Sequence, residues 1–393
     1  VTELRFRPAS PYRSLWIVCI ACILPATLSA SGLQGAAMFI MNPVACVAAV
    51  FFATCTAVPV FLFIWFMDRN EPEPWSHLIL GFCWGAFVAT AISMVFNGMF
   101  EFISVAAVGN EAIASQLTAS LSAPFIEEIT KGAALLFLYV LFRDEFDNAL
   151  DGLVYGAVVG LGFAWFENIT YYMAPFLDDD ASTGIGDMLG TVYLRGLVSA
   201  GGGSHAAYTA LTGLGFGIVR QAHSGWLRYA AVPSLLSVAM FAHFSWNTFT
   251  APLVIVVSGE NTVMQYALGI PFATLVLQGP LTLFLWITAL AMWWQEDRVI
   301  RVQLSAEAAE HISTEELARL TPSYRRTFRS FAAFFSLPFP LWLHRWRLRR
   351  LQIELAFARW HHQEGEDVDW PVDLDRKVVE ARAAIVAHRR KAP

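Results

Sequence analysis

Long apolar runs broken by short polar connections dominate the chain as far as residue 294. A helix needs about 20 mostly apolar residues to cross the hydrocarbon core of a bilayer. Runs of that kind predict spans at residues 14–31, 44–67, 76–105, 121–143, 150–173, 190–219, 229–256 and 266–294. Beyond 294 the pattern becomes charged, with apolar residues at helical spacing. The expected fold is all-α, a polytopic transmembrane helical bundle of about eight spans over residues 14–294. A short cytoplasmic segment, 1–13, precedes it, and a basic, helical cytoplasmic tail, 295–393, follows it. The small residues Leu28-Ser29-Ala30-Ser31 leave a rival reading of the first run as a cleaved signal peptide, which would leave seven spans.

Composition agrees with a membrane protein. Of 393 residues, 56% are hydrophobic and 15% charged, against about 25% charged in a soluble domain. The net charge of −6 matters less than where the charges lie. Arg5, Arg7 and Arg13 precede the first span; Arg69, Arg143, Arg220 and Arg228 fall in connections on that same side, and the basic tail follows. The opposite connections, 32–43, 106–120, 174–189 and 257–265, contain no Lys or Arg, and one holds Asp178, Asp179 and Asp180. Cytoplasmic connections carry the excess of Lys and Arg, so both termini are expected in the cytoplasm. All five cysteines lie in apolar runs, where a free thiol behaves as a small hydrophobe. Cys19-x-x-Cys22 lacks the polar turn and βαβ context of a redox motif.

In the tail, Ser313-Thr314-Glu315-Glu316 predicts a capping box before a short helix. Residues 341–361 are basic and amphipathic and suit an anionic membrane surface. A last helix is expected over about 373–390. The basic run is explained by its place beside the lipid bilayer, and no nucleic-acid module is visible.

Several residues do not belong in lipid. Lys131 and Arg195 fall inside spans, as do Glu127, Glu128, Glu167, Asn168, His205, His243 and Asn247. A charge at the bilayer centre costs about 2.5–3.5 kcal/mol on insertion scales and normally faces a bundle interior or watery cavity. With the orientation above, Glu127, Glu128 and Glu167 lie about two turns from the outer ends of their spans, and His205 and His243 lie nearer the middle. Four spans thus bring acids and imidazoles to overlapping depths. Glu127 and Lys131 share a helix face, whereas Glu128 lies about 100° from Glu127. One carboxylate can pair with Lys131 while the other points into a pocket. Hydrolysis needs a carboxylate that accepts a proton from water, imidazoles that bind a metal or polarise a carbonyl, and a donor such as Asn247 for an oxyanion. The alternatives are structural: a buried Glu127–Lys131 ion pair, hydrogen-bonded packing histidines, and asparagines as interhelical glue.

Glycines frame the same region. Gly152, Gly156 and Gly160 recur every four residues and give the fifth span a close-packing face. Gly201-Gly202-Gly203 precede Ser204-His205. They fit tight packing or a locally unwound backbone beside a water cavity.

Together these residues resemble the PrsW family of intramembrane proteases, which is distantly similar to the CAAX-processing (ABI) proteases. Glu127-Glu128-Ile129-Thr130-Lys131 resembles its E-E-x-x-K motif, and Phe163 through Asn168 its F-x-x-x-E-N motif. His205 and the stretch His243-Phe244-Ser245-Trp246-Asn247 resemble its two later histidine motifs, and Asp68 through Trp75 its acidic, proline-rich loop. The similarity runs in order over roughly residues 45–250 and stops short of the tail. It implies cleavage of membrane-embedded or membrane-tethered proteins in a bacterial plasma membrane, in some members of anti-sigma factors. It implies that Glu127 or Glu128, partnered by Lys131, activates water. Glu167, His205 and His243 would ligate zinc or another divalent metal, or orient water and the oxyanion in a metal-free glutamate mechanism, with Asn247 assisting. The helical zinc signature H-E-x-x-H is absent, which leaves both mechanisms open.

A proton- or ion-coupled transporter could use the same carboxylates as a relay. Transporters often carry inverted repeats with interrupted helices in matching positions. The motifs of 121–168 have no counterpart in 200–250, which favours the enzyme. A scaffold acting through its tail ranks last, because no expected site residue is missing.

Overall fold

The computed structural model describes residues 11–142, 145–176, 184–198, 203–222, 225–307, 312–365 and 374–390, with side chains from residue 24 onward except at 361, 364, 365 and 374–377. Arg143, Asp178 to Asp180, Gly201, Gly202 and the side chains of Cys19 and Cys22 lie outside these. All regular structure among the described residues is helical. The chain divides into two compact units, Val1–Met67 with Glu73–Leu285, and Asp68–Pro72 with Trp286–Pro393.

In the first unit the helices are α1 (Pro11–Met41), α2 (Pro43–Met67), α3 (Trp75–Cys83), α4 (Thr90–Val108), α5 (Glu111–Leu117), α6 (Ala123–Leu141), α7 (Ala149–Met173), α8 (Gly184–Thr191), α9 (Gly203–Gln221), α10 (Gly225–Ser258), α11 (Thr262–Met264) and α12 (Ile270–Leu277). The next helix, α13 (Gly279–Ser305), runs from this unit into the second. Wide π-helical turns join α3 to α4, α5 to α6 and α11 to α12, and another follows α8. Among the described residues, four helical segments are long and apolar enough to cross a membrane: Pro43–Met67, Trp75–Val108, Ala149–Phe176 and Gly225–Ser258. A fifth is the pair Thr262–Leu277 and Gly279–Ser305, bent by 51°, if it counts as one span. Helices also cover the other runs expected from hydropathy. Among these, α6 is too charged to qualify, because it carries Glu127, Glu128 and Lys131 within 19 residues. The last helix does not stop at 294, since no breaker intervenes before Ser305.

The centre is α7. Its apolar segment is 94% buried, against 22% for α2 and 11% for α10. A helix apolar on every side belongs inside a bundle. Its start is fixed by Asn148, whose side chain accepts from the amides of Leu150 and Asp151 while Asp151 accepts from the Asn148 amide. This reciprocal cap satisfies orphan donors at the helix start. The expected glycine face meets α9. A Cβ on Gly152 would overlap the Gly213 carbonyl, one on Gly156 the Thr209 carbonyl, and one on Gly160 the His205 carbonyl. Outward, Phe102, Tyr229 and Val256 are about four-fifths exposed. Such broad apolar exposure is normal in lipid and rare on a soluble monomer.

The second unit contains α14 (Thr314–Leu320), α15 (Ser323–Ser336), α16 (Phe339–Gly365) and α17 (Leu374–Arg390). Ser313 and Glu316 form the expected capping box. Ile300, Leu304, Ile353, Leu355, Phe357 and Ile385 form its core. The second half of α16 buries Ile353, Leu355 and Phe357 within the unit.

Candidate active site

The site grows from α6. Between α5 and α6 the helix widens into a π turn at Thr118–Ser122. Such turns disturb the regular hydrogen-bond ladder and recur at functional sites. Here the Ala119 carbonyl accepts from the Asn247 side chain of α10 at 2.7 Å. α6 is then held from the α3–α4 side, where the Trp84 indole donates to the Thr130 carbonyl at 3.1 Å.

One turn into α6, Glu127 and Glu128 point in different directions, as their 100° offset requires. Glu128 is fully buried. Its Oε1 accepts from Lys131 Nζ at 2.8 Å and from His243 Nδ1 at 3.0 Å, and Thr209 lies 3.4 Å from its Oε2. With the proton on Nδ1, His243 carries its lone pair on Nε2. That nitrogen lies 3.9 Å from Glu127 Oε2. Among the described residues Glu127 Oε2 is buried without a hydrogen-bond partner, the cation beside it being Lys131 Nζ at 3.6 Å. Lys131 also reaches His205 Nδ1 at 3.1 Å and sits 4.0 Å above the Phe163 ring.

Glu167 of α7 closes the other side. Its Oε2 accepts from His205 Nε2 at 2.9 Å and from Arg195. Arg195 also donates to Asn168 Oδ1 at 2.8 Å and stacks over Tyr171. The two imidazoles lie edge to face, 5.1 Å between centroids, and Tyr208 stacks on His243. A cavity of about 250 Å³ opens among them, with Glu127, Glu167, Arg195, His205, His243 and Asn247 in its wall. It has room for several waters.

The seven residues to which the family resemblance gives a role, Glu127, Glu128, Lys131, Glu167, His205, His243 and Asn247, therefore lie close together. Glu128 and Lys131 stand behind the cavity wall, and Asn247 uses its amide on the Ala119 carbonyl. Potential ligand atoms of Glu127, His205 and His243 lie within 4.8 Å of one another. On a tetrahedral zinc, ligand atoms at about 2.0–2.1 Å from the metal would be roughly 3.3 Å apart. The chemistry fits a divalent ion: an orphaned carboxylate oxygen and an imidazole lone pair face each other at more than hydrogen-bond distance. Glu167, expected among the ligands, is already engaged by Arg195 and His205, and His205, with Nε2 on Glu167 and Nδ1 facing Lys131, would have to give up one of these contacts to bind an ion. Arg195 has no role in the reading from sequence, although the rule that exposes Lys131 exposes it equally. Tyr208 gives no such signal, being an ordinary aromatic in an apolar run.

The profile of the PrsW family of intramembrane metalloproteases matches residues 73–277. The chain belongs to this family. Protease PrsW of Geobacillus kaustophilus is 31% identical over 189 residues, 48% of this chain and 74% of the relative. Protease PrsW of Bacillus subtilis is 28% identical over 207 residues, 50% of this chain and 85% of the relative. A third relative of that name, from Clostridioides difficile, is 33% identical over 105 residues, 26% of this chain and 42% of the relative. No solved structure matches. Membership in the PrsW family makes the chain an intramembrane protease, and so an integral membrane protein that acts on a membrane-protein substrate in the bilayer; the relatives above are bacterial. It does not favour the transporter.

Proposed function

We propose that this PrsW-family protease hydrolyses a peptide bond in the cavity between α6, α7, α9 and α10, with Glu127 as the carboxylate that meets the reacting water. The unpartnered, buried Oε2 of Glu127 carries this reading. That oxygen is positioned to accept a proton from water. Glu128 is a positioning residue: its bond to His243 Nδ1 fixes the tautomer that leaves Nε2 free. Lys131 holds both carboxylates. Arg195 and Asn247 are the wall groups that can donate to an oxyanion.

Glu127, His205 and His243 are also the residues that would hold a divalent ion. The ion would supply an acidified water and a Lewis acid for the scissile carbonyl. With Glu127 engaged as a ligand, Glu167 is the other carboxylate on the wall able to take a proton. The absence of Lys and Arg from the connections on one side supports eight crossings with both termini in the cytoplasm, and the change in composition supports a tail from about 295.

In proteoliposomes with a membrane-tethered substrate, Glu127→Gln is expected to lower cleavage by about 10²–10⁴-fold, the usual range for a lost general base. Glu128→Gln is expected to lower it by about 10–100-fold, as outer partners of such sites do. Undiminished cleavage by folded Glu127→Gln would overturn the assignment. Elemental analysis of purified protein separates the ligand sets. Near-stoichiometric metal that is lost in Glu127→Gln and His243→Ala but kept in Glu167→Gln supports the set proposed. Metal kept in Glu127→Gln and lost in Glu167→Gln transfers the ligand role to Glu167.

A further inference from the structure

The second unit turns an aromatic face outward. On α15, Tyr324, Phe328, Phe331 and Phe335 recur at helical spacing and form one stripe about 60° wide. Phe328, Phe331 and Phe335 are 73%, 66% and 72% exposed. Phe339 prolongs the stripe onto α16, where it stacks on Trp342, which in turn stacks on Trp346. The opposite side of α15 is fixed, with Ser323 and Arg326 buried. Arg325 and Arg329 are exposed at about 100° and 140° around the helix from Tyr324, along one flank of the stripe. From Ser323 to Ile353 the chain has seven arginines and no Asp or Glu.

The height of α15 follows from its first turn. The apolar run of α13 ends at Trp293-Trp294, and Glu296, Asp297 and Arg298 follow directly. Tryptophans at such a boundary mark the headgroup level. The Ser323 amide donates to both Asp297 oxygens at 2.9 Å, and Arg326 donates to Asn70, which itself donates to Glu296. Arg69 stacks over Trp293 at 3.7 Å. The start of α15 is therefore pinned where α13 leaves the hydrocarbon.

We propose that α15 lies flat in the membrane interface, with Tyr324, Phe328, Phe331 and Phe335 in the acyl-chain boundary and Arg325 and Arg329 among anionic lipid headgroups. An apolar stripe flanked by cations is what an interfacial helix needs, and each Arg near an anionic surface adds attraction. A second copy would set the same arginine-rich, acid-free run against itself.

The test uses the full chain with its five cysteines replaced by serine. Single nitroxides are placed through Phe328→Cys, Phe331→Cys, Phe335→Cys and Arg329→Cys, in vesicles of phosphatidylcholine and phosphatidylglycerol. Retained cleavage of a tethered substrate checks the fold. Labels at 328, 331 and 335 are expected to be several-fold more accessible to oxygen relative to a water-soluble nickel chelate than the label at 329. In phosphatidylcholine alone, or with Arg325→Gln, that contrast is expected to shrink. Equal accessibility at all four positions places the stripe in water and overturns the proposal. Exclusion of both reagents from 328, 331 and 335 places it against protein and overturns it too. A contrast that ignores lipid charge and Arg325→Gln removes the headgroup contacts.

Discussion

Lys131→Met is expected to destabilise the protein by about 3–5 kcal/mol, the usual effect of removing one partner of a buried ion pair, and to abolish cleavage. Lys131 is 0% exposed and is the cation shared by Glu127 and Glu128, at 3.6 and 2.8 Å. It also touches His205 and the Phe163 ring, so one side chain ties α6 to α7 and α9. Methionine fills a similar volume but leaves two buried acids without their shared cation. The double variant Glu128→Gln/Lys131→Met removes one acid together with the ammonium and is expected to regain part of the stability but none of the activity. Thermal unfolding in detergent of the wild type, both single variants and the double variant measures the coupling. A Lys131→Met protein that melts and cleaves like the wild type would sink the argument.

Gly156→Val is expected to prevent accumulation of folded protein. The added Cβ would overlap the Thr209 carbonyl and crowd the Ala210 Cα, both main-chain atoms of the neighbouring helix. Overpacking against movable side chains costs about 1–3 kcal/mol, and here a helix must move instead. Gly160→Val would do the same against the His205 carbonyl and displace that imidazole. Gly98→Ala is the control, since nothing lies within 4 Å of a Cβ there. Comparing membrane yields by immunoblot, and melting where protein is recovered, checks this. Gly156→Val accumulating as well as Gly98→Ala would show that the seam is looser than described.

Much of this site is legible without a structure because lipid makes polarity conspicuous. Lys131, Glu167 and His205 stand out in runs that are otherwise mostly apolar, and the four-residue glycine spacing marks the face that meets α9. What stays hidden depends on azimuth and on partners. Sequence spacing separates Glu127 from Glu128 by 100° but cannot say which faces the cavity; His243 and Thr209, from two other helices, occupy the side that Glu128 takes. Arg195 is visible as an intramembrane cation, yet its pairing with Glu167 depends on a wide helical turn that leaves no periodic signature. In the tail the basic run 341–361 attracts notice, whereas α15 combines its aromatics and arginines in a shorter segment. Burial of Ile353, Leu355 and Phe357 of α16 in their own core leaves the exposed aromatics on α15 and the first turns of α16.

The glycine seam also bears on how a substrate gets in. Helices joined through side chains can slide by repacking them, but α7 and α9 touch main chain to main chain and have little there to rearrange. They form a single rigid jaw that carries Glu167 and His205 in fixed register. A transmembrane substrate that enters from the side is therefore expected to part the bundle elsewhere. The expected place is α10, which brings His243 and Asn247 and has the lowest buried share of the four spans.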